Sequence, residues 1–258
     1  MKITLVQLDA SLDWRGLDLI QCLRSAPRAD LTVFPECYPF WREAGISHTT
    51  AMQRLEGMAG QLPGKTFMAG GYVADVGVDG ARIRRNRVYL VHQGFVVDYY
   101  DKQCVFEQEP FTPANIVKLF AWGAHRCLPL ICADADQGPA SAFMARLVQR
   151  ATAAGAGPGV PIVVSSYGAL LAQPYWTDSL HHLADACQAP VLVCGIAGKS
   201  KRTFRYRVED GGDGRLHPFG GGGSGLFLPG RSDAKQYGEP GYVTVDSVSG
   251  RAAWKAFA

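Results

Sequence analysis

The chain has 258 residues, 47% of them hydrophobic and 19% charged, which is enough apolar surface for one large domain with a deep core and excludes disorder as its main state. Lys and Arg total 26 against 23 Asp and Glu, and the resulting +3 gives no electrostatic reason to expect a nucleic-acid or acidic-membrane partner. No apolar run reaches the roughly 20 residues that a membrane helix needs.

The N-terminus alternates as a strand, Ile3 to Leu8, and carries no small-residue cleavage site of an export signal. Further strands are expected at Leu31 to Phe34, Phe67 to Val73, Arg87 to His92, Phe95 to Tyr100 and Leu128 to Cys132. Ile162 to Ser166, Val191 to Ala197, Gly225 to Leu228 and Gly241 to Val245 follow; many of these runs are β-branched and continuous, as strands covered by other layers should be. Helices are expected at Asp18 to Arg24, Thr50 to Ala59, Ser141 to Ala154 and Thr177 to Ala186. In the third, Phe143, Leu147 and Ala151 share a face while Arg146 and Arg150 lie on another. Strands alternating with helices over residues 1–258, with no linker or internal repeat, predict a single α/β domain.

Seven cysteines without a CxxC, two of them (Cys187 and Cys194) in apolar surroundings, read as free thiols in a reducing cytoplasm. The six histidines show no ligand spacing, so a metal site is not expected. The run from Gly220 to Gly225 lies between His217-Pro218 and a strand, where a phosphate loop would lead into a helix; it reads as a loop at a strand entrance. Asp210 to Gly214 reads as a surface turn. The arginines 82, 84, 85 and 87 read as a solvated strand start, with a substrate-carboxylate role as the functional alternative.

Three apolar strands end on a reactive side chain. Leu31 to Phe34 stops at Pro35 and offers Glu36 beside the apolar Cys37-Tyr38-Pro39-Phe40-Trp41, surroundings that raise a carboxyl pKa and suit it to proton transfer. Phe95 to Tyr100 ends at Asp101-Lys102; near a thiol and a carboxylate, such a lysine stabilises a thiolate and a developing oxyanion. Leu128 to Ile131 ends at Cys132-Ala133-Asp134 with a helix to follow, the setting of an acyl-transfer nucleophile whose oxyanion site is a neighbouring N–H.

Taken in order, Pro35-Glu36, Tyr100-Asp101-Lys102 and Ile131-Cys132-Ala133-Asp134 resemble the nitrilase superfamily, the carbon–nitrogen hydrolases with a Glu-Lys-Cys triad. Asn86 before the lysine strand, the segment Glu107 to Pro113 after it, Trp176 and Gly223 to Leu226 also match. The resemblance implies a four-layer αββα sandwich, usually a homodimer, working without a cofactor. It implies Glu36 as general base, Lys102 as the cation on the tetrahedral intermediate and Cys132 as nucleophile. It further implies Glu107 as a positioning carboxylate and the Ala133 N–H as an oxyanion donor. The chain departs from the pattern at Gln103-Cys104, Leu128, Ala133, Ser165-Ser166-Tyr167, Leu183 to Cys187 and Gly195, positions that line or brace the pocket.

The activity expected is hydrolysis of a small amide to a carboxylate and ammonia through a Cys132 thioester. A nitrilase is the alternative within the chemistry, although nitrilases of the superfamily carry Trp-Glu after the cysteine where this chain has Ala133-Asp134. A catalytically silent binding domain and acyl transfer to another acceptor are the remaining readings. Tyr38, Trp41, Phe106, Tyr167 and Trp176 are the candidate pocket walls. The helix Ser141 to Ala154 is the expected two-fold contact of a homodimer.

Overall fold

The computed structural model describes residues 1–9, 18–40, 46–77, 80–106, 109–166, 174–197, 203–205, 216–218 and 223–257. The first half of the chain runs β1 (Lys2–Gln7), α1 (Leu19–Ser25), β2 (Leu31–Val33), β3 (Pro39–Phe40), β4 (Ile46–Ser47) and α2 (His48–Ala59). It continues through β5 (Thr66–Val76), β6 (Arg82–His92) and β7 (Phe95–Asp101). Then come β8 (Phe120–Trp122), β9 (His125–Ile131), α3 (Ala142–Ala154), β10 (Ile162–Ser165), α4 (Pro174–Cys187) and β11 (Val191–Cys194). The chain closes with β12 (Thr203–Arg205), β13 (Leu216–Pro218), β14 (Ser224–Phe227), β15 (Lys235–Tyr237), β16 (Gly241–Asp246) and β17 (Ala252–Lys255).

Two mixed sheets result. The first has the order β17-β16-β1-β2-β5-β6-β7, with β3 and β4 added along β5; the second has the order β15-β14-β11-β10-β9-β8. Strands β1, β2 and β5 are parallel neighbours, as are β9, β10 and β11. Side chains alternate across the first sheet with the period of two that a strand imposes. Ile3, Leu5, Leu31, Val33, Met68, Val88 and Leu90 face the second sheet in one apolar cluster with Leu128, Leu130 and Val163. Val6, Phe34, Phe67, Ala69, Tyr89 and Val91 turn the other way and pack with Leu19, Leu23, Ala51 and Leu55 of α1 and α2. On the far side, α3 and α4 cover the second sheet through Met144, Leu147, Leu180 and Leu183. The layers are therefore helix, sheet, sheet, helix, the αββα sandwich expected.

The helix starts follow from their caps. Asp18, Ser47 and Ser141 each accept a hydrogen bond from an N–H of the first turn that the helix itself leaves unpaired. Gly155 ends α3 in a left-handed conformation, φ 103°. The long strands extend beyond their sequence-level bounds, and the short β3, β4, β8, β15 and β17 were not anticipated. One expectation is corrected. Arg87 is no solvated strand start: it is 2% exposed, paired with Asp75 at 2.9 Å and with Asp101, and lies 3.9 Å from the centre of the Tyr99 ring. It clamps β5, β6 and β7 together from within.

Candidate active site

The parallel strands β2 and β9 end at the same pole of the sandwich, and each hands over a reactive group there. The chain leaves β2 through Phe34, whose N–H donates to the Met68 carbonyl at 3.0 Å and whose carbonyl accepts from Ser165 Oγ at 2.8 Å. The short exit is thus tied to both sheets, and Glu36 follows within two residues, 2% exposed. Lys102 leaves β7 with its N–H on the Asn86 carbonyl at 2.9 Å and is 1% exposed. Cys132 opens a single 3-10 turn (Cys132–Ala135) directly after β9, with φ 41°. That left-handed backbone is costly for a residue with a side chain, and it is stored where the chain turns sharply from strand to helix.

The side chains converge on Lys102. Its Nζ donates to Glu36 Oε1 at 2.8 Å and to Glu109 Oε2 at 2.6 Å. Asn86 Nδ2 donates to Glu36 Oε1 at 2.7 Å and to Glu109 Oε1 at 3.0 Å, so one amide and one ammonium hold both carboxyl groups. Tyr72 OH adds a bond to Glu109 Oε1 at 2.5 Å, and the Phe106 N–H reaches Glu109 Oε2 at 3.3 Å. Both oxygens of Glu109 are therefore occupied. Glu36 differs: its Oε2 is buried without a hydrogen-bond partner among the described residues.

Two carboxyl groups on one buried lysine leave an excess of negative charge, and burial resists it. Burial raises the Glu36 carboxyl to about 7, against the pull of Lys102 and with a further push from Glu109. Burial, first, and the charge of Glu36, second, raise the Cys132 thiol well above its usual value, while Lys102 and the hydroxyl of Ser166 draw it back. The Ser166 hydroxyl makes no full hydrogen bond among the described residues, but it is close enough to favour the thiolate. A buried ion pair of this kind is weak evidence for stability. Its value lies in the charge it places beside the thiol.

A third buried carboxylate, Asp134, braces the turn from below. Asp134 accepts from the N–H groups of Gln103 at 2.9 Å, Cys104 at 2.8 Å and Ile131 at 3.0 Å, and from Tyr100 OH at 2.9 Å. It thereby fixes the segment carrying Lys102 to the segment carrying Cys132. Gln103, a departure from the expected pattern, is absorbed into the same network by its bond to Tyr100 OH at 2.8 Å.

Of the residues named from sequence, Glu36, Lys102 and the charges that act on Cys132 come together. Ala133 is 1% exposed and follows the cysteine in the 3-10 turn, where the first N–H groups have no partner within the turn itself. Phe106 lies half-buried against Glu109. Trp176 is wholly buried in the apolar cluster that also contains Cys132, beside Asp136, whose carboxyl burial raises to about 7. Tyr38 packs into the outer core, stacked on Phe34 at 5.1 Å. Glu107, Trp41 and Tyr167 lie outside the described residues.

Several groups of the site were not singled out from sequence. Glu109, two residues after Glu107, is the carboxylate seen on Lys102. Tyr72 supports it from β5. Cys37 is a second buried thiol within reach of the charges of Glu36, Glu109, Lys102 and Cys132, and burial keeps its own pKa well up. Among the described residues no cluster of His, Cys, Asp and Glu is arranged to hold a metal ion. The place between Glu36 and Glu109 that a cation would take is filled by the Lys102 ammonium.

Comparison with solved structures places the fold among those of the nitrilase superfamily. No family profile matches the chain, and no curated protein is similar to it in sequence. Among solved structures, a glutamate-to-glutamine mutant of an amidase from Nesterenkonia sp. AN1, carrying acrylamide added at its active-site cysteine, superposes with a TM-score of 0.65 at 22% identity, over 95% of this chain and 92% of that one. The Saccharomyces cerevisiae member of branch 10 of the nitrilase superfamily matches with a TM-score of 0.67 at 17% identity, over 96% and 89%. A glutamine-dependent NAD+ synthetase from Acinetobacter baumannii matches with a TM-score of 0.63 at 15% identity, over all of this chain and 48% of that one. The chain has the nitrilase-superfamily fold.

Proposed function

We propose that this protein is a thiol amidohydrolase that converts a small amide, R-CO-NH2, into a carboxylate and ammonia. The carrying observation is the asymmetry of the two glutamates on Lys102: both oxygens of Glu109 are engaged, while Glu36 keeps one buried oxygen without a partner among the described residues. A carboxylate with a free lone pair and a pKa near 7 beside a thiol is a general base.

In the proposed cycle the Cys132 sulfur bonds to the amide carbon as its proton passes to Glu36. The carbonyl electrons move to the oxygen, which the Lys102 ammonium and the Ala133 N–H hold. Glu36 returns the proton to the nitrogen, the C–N bond breaks, and ammonia leaves a thioester on Cys132. Water then gives a proton to Glu36 and attacks the thioester; collapse releases the acid, and Glu36 reprotonates the departing sulfur. Glu109 holds Lys102 in place throughout and exchanges nothing. Lys102 supplies the positive charge of the site, so the cycle draws on no cofactor.

A small, uncharged acyl group suits the apolar surroundings of Cys132. The Nesterenkonia amidase, also solved in complex with butyramide, supports a short aliphatic amide as the class. We place the activity in the cytoplasm, on the seven free thiols, and in a homodimer meeting through α3. Among the described residues no helix is long and apolar enough to cross a membrane.

The test is ammonia release from short aliphatic amides and from the nitriles with the same acyl chains. The amide of each pair should be preferred about tenfold in kcat/KM, and Cys132→Ala should abolish turnover. Faster turnover of the nitriles would make the protein a nitrilase, and full activity of Cys132→Ala would end the thioester mechanism.

A further inference from the structure

The two sheets also leave a cavity at the other pole, where β2, β5 and β9 begin. It measures about 500 Å³ and is lined by Arg28, Asp30, Lys65, Thr66, His92, Trp122 and His125 together with small residues. A seven-residue strand such as β9, which runs from His125 to the residue before Cys132, separates the two poles by about 20 Å. The cavity is therefore no part of the amide site.

Its charge is one-sided. Neither Arg28 nor Lys65 has an ion-pair partner among the described residues, and burial alone holds the Lys65 amine below its usual value. The single carboxylate, Asp30, is already engaged. Its Oδ2 accepts the Lys2 N–H at 2.8 Å and its Oδ1 lies 3.7 Å from His125 Nε2. His92 Nδ1 is bonded to Thr66 Oγ1 at 2.8 Å, and the Trp122 indole donates to the Asp30 carbonyl at 3.2 Å. The walls are thus fixed by bonds among themselves, while the cavity carries two cations, Arg28 and Lys65, against the one carboxylate of Asp30. An anion in the cavity would find both of these charges on its walls.

We propose that this cavity binds a small phosphate monoester. Arg28 and Lys65 come from different segments and both line the space, which suits a compact dianion that takes more than one donor. The volume lies within the range of small-molecule sites and far exceeds what a bare phosphate fills, and Trp122 and Pro63 give the organic part an apolar wall.

Calorimetric titration with ribose 5-phosphate tests this, with ribose and inorganic phosphate as comparisons. The ester should bind saturably with a Kd of ~1 mM or tighter, inorganic phosphate more weakly, and ribose not at all. Binding should weaken steeply with added salt. Exchanging both Arg28 and Lys65 for alanine should weaken it about tenfold or more, while Lys65→Arg retains it. Both side chains are at least partly exposed, so the doubly substituted protein should keep its ligand-free Tm. Absence of saturable binding, equal binding of ribose or of inorganic phosphate, or unchanged affinity in the doubly substituted protein would each overturn the proposal.

Discussion

Glu36 and Glu109 stand 73 residues apart in sequence and meet on the same two donors, the Lys102 ammonium and the Asn86 amide. The shared donors make them unequal. Tyr72 and the Phe106 N–H take what is left of Glu109, whereas Glu36 Oε2 has no partner among the described residues.

The first prediction separates Glu109 from Glu107. Glu109→Gln replaces an acceptor of the Lys102 ammonium with an amide that brings its own donors into a buried site. Because groups that act as a unit lose activity together, kcat should fall by ~100-fold or more, approaching the loss in Glu36→Gln. Glu107→Gln should stay within a few-fold of the parent. Ammonia-release kinetics of the two variants, read with unchanged circular dichroism, decide which glutamate serves Lys102.

The second prediction concerns pH. Glu36 must be a carboxylate to receive the thiol proton, and its pKa is held up at about 7 by burial. Below that value the free enzyme carries the unreactive acid, so kcat/KM should drop about tenfold per pH unit as pH falls under 7. Above it the rate should level off. The Cys132 thiol is itself raised well above its usual value, so no alkaline limb should enter before that thiol ionises. A profile flat from pH 5 to 8, roughly the range over which a group near 7 must titrate, would remove Glu36 from the role of base.

Much of this site was legible because Glu36, Lys102 and Cys132 each follow a strand, buried in β2 and at the end of β9 and largely exposed in β7. Leu31 to Phe34, Phe95 to Tyr100 and Leu128 to Ile131 carry strand patterns that end at Pro35-Glu36, Asp101-Lys102 and Cys132, and the parallel β2 and β9 put two of those ends at one pole. Glu109 was not legible. Glu107 and Glu109 are two residues apart in an irregular segment, and spacing cannot tell which one a loop will turn inward. The local bond from the Glu109 N–H to the Phe106 carbonyl at 3.0 Å belongs to the turn that brings Glu109 to Lys102, and Glu107 lies outside the described residues. Arg87 was misread for a related reason. A run of arginines looks solvated, and only the pairing of β5, β6 and β7 reveals that Asp75 and Asp101 bracket its fourth member. The edge strands β8, β15 and β17 have three or four residues, too few for a period of two to register.

The third prediction tests the brace beneath the triad. Asp134→Asn keeps the shape but replaces one acceptor oxygen with a donor, facing three N–H groups and the Tyr100 hydroxyl. Leaving buried donors unpaired should cost about 3 kcal/mol. For a chain of this size that lowers Tm by roughly 10 °C. Activity at a temperature where the variant is folded should fall as well, because Asp134 ties the Lys102 segment to the Cys132 turn. A variant as stable as the parent would show that the network is dispensable.

The last prediction explains a departure from the family pattern. The family pattern that the sequence resembles frequently has asparagine where this chain has Gly195, just beyond β11. Here a Cβ on residue 195 would lie 2.1 Å from the Gly223 carbonyl oxygen, backbone that cannot swing aside. Gly223 is pinned in turn. Its φ is +68°, its N–H donates to the Ile196 carbonyl at 2.8 Å, and a Cβ on it would lie 2.1 Å from the Tyr237 carbonyl oxygen. The two glycines therefore let β11 approach the start of β14 more closely than any side chain permits. Gly195→Ala must push these segments apart, and overpacking of this kind costs about 1–3 kcal/mol. Gly57, within α2, has nothing within 4 Å of its added Cβ, and there alanine should stabilise by roughly 0.5–1 kcal/mol because it restricts the unfolded chain. Thermal unfolding of the two alanine variants should move in opposite directions, down for Gly195→Ala and up for Gly57→Ala. A Gly195→Ala protein with an unchanged Tm would mean that the strands have room to spare, and the absence of asparagine would need another cause.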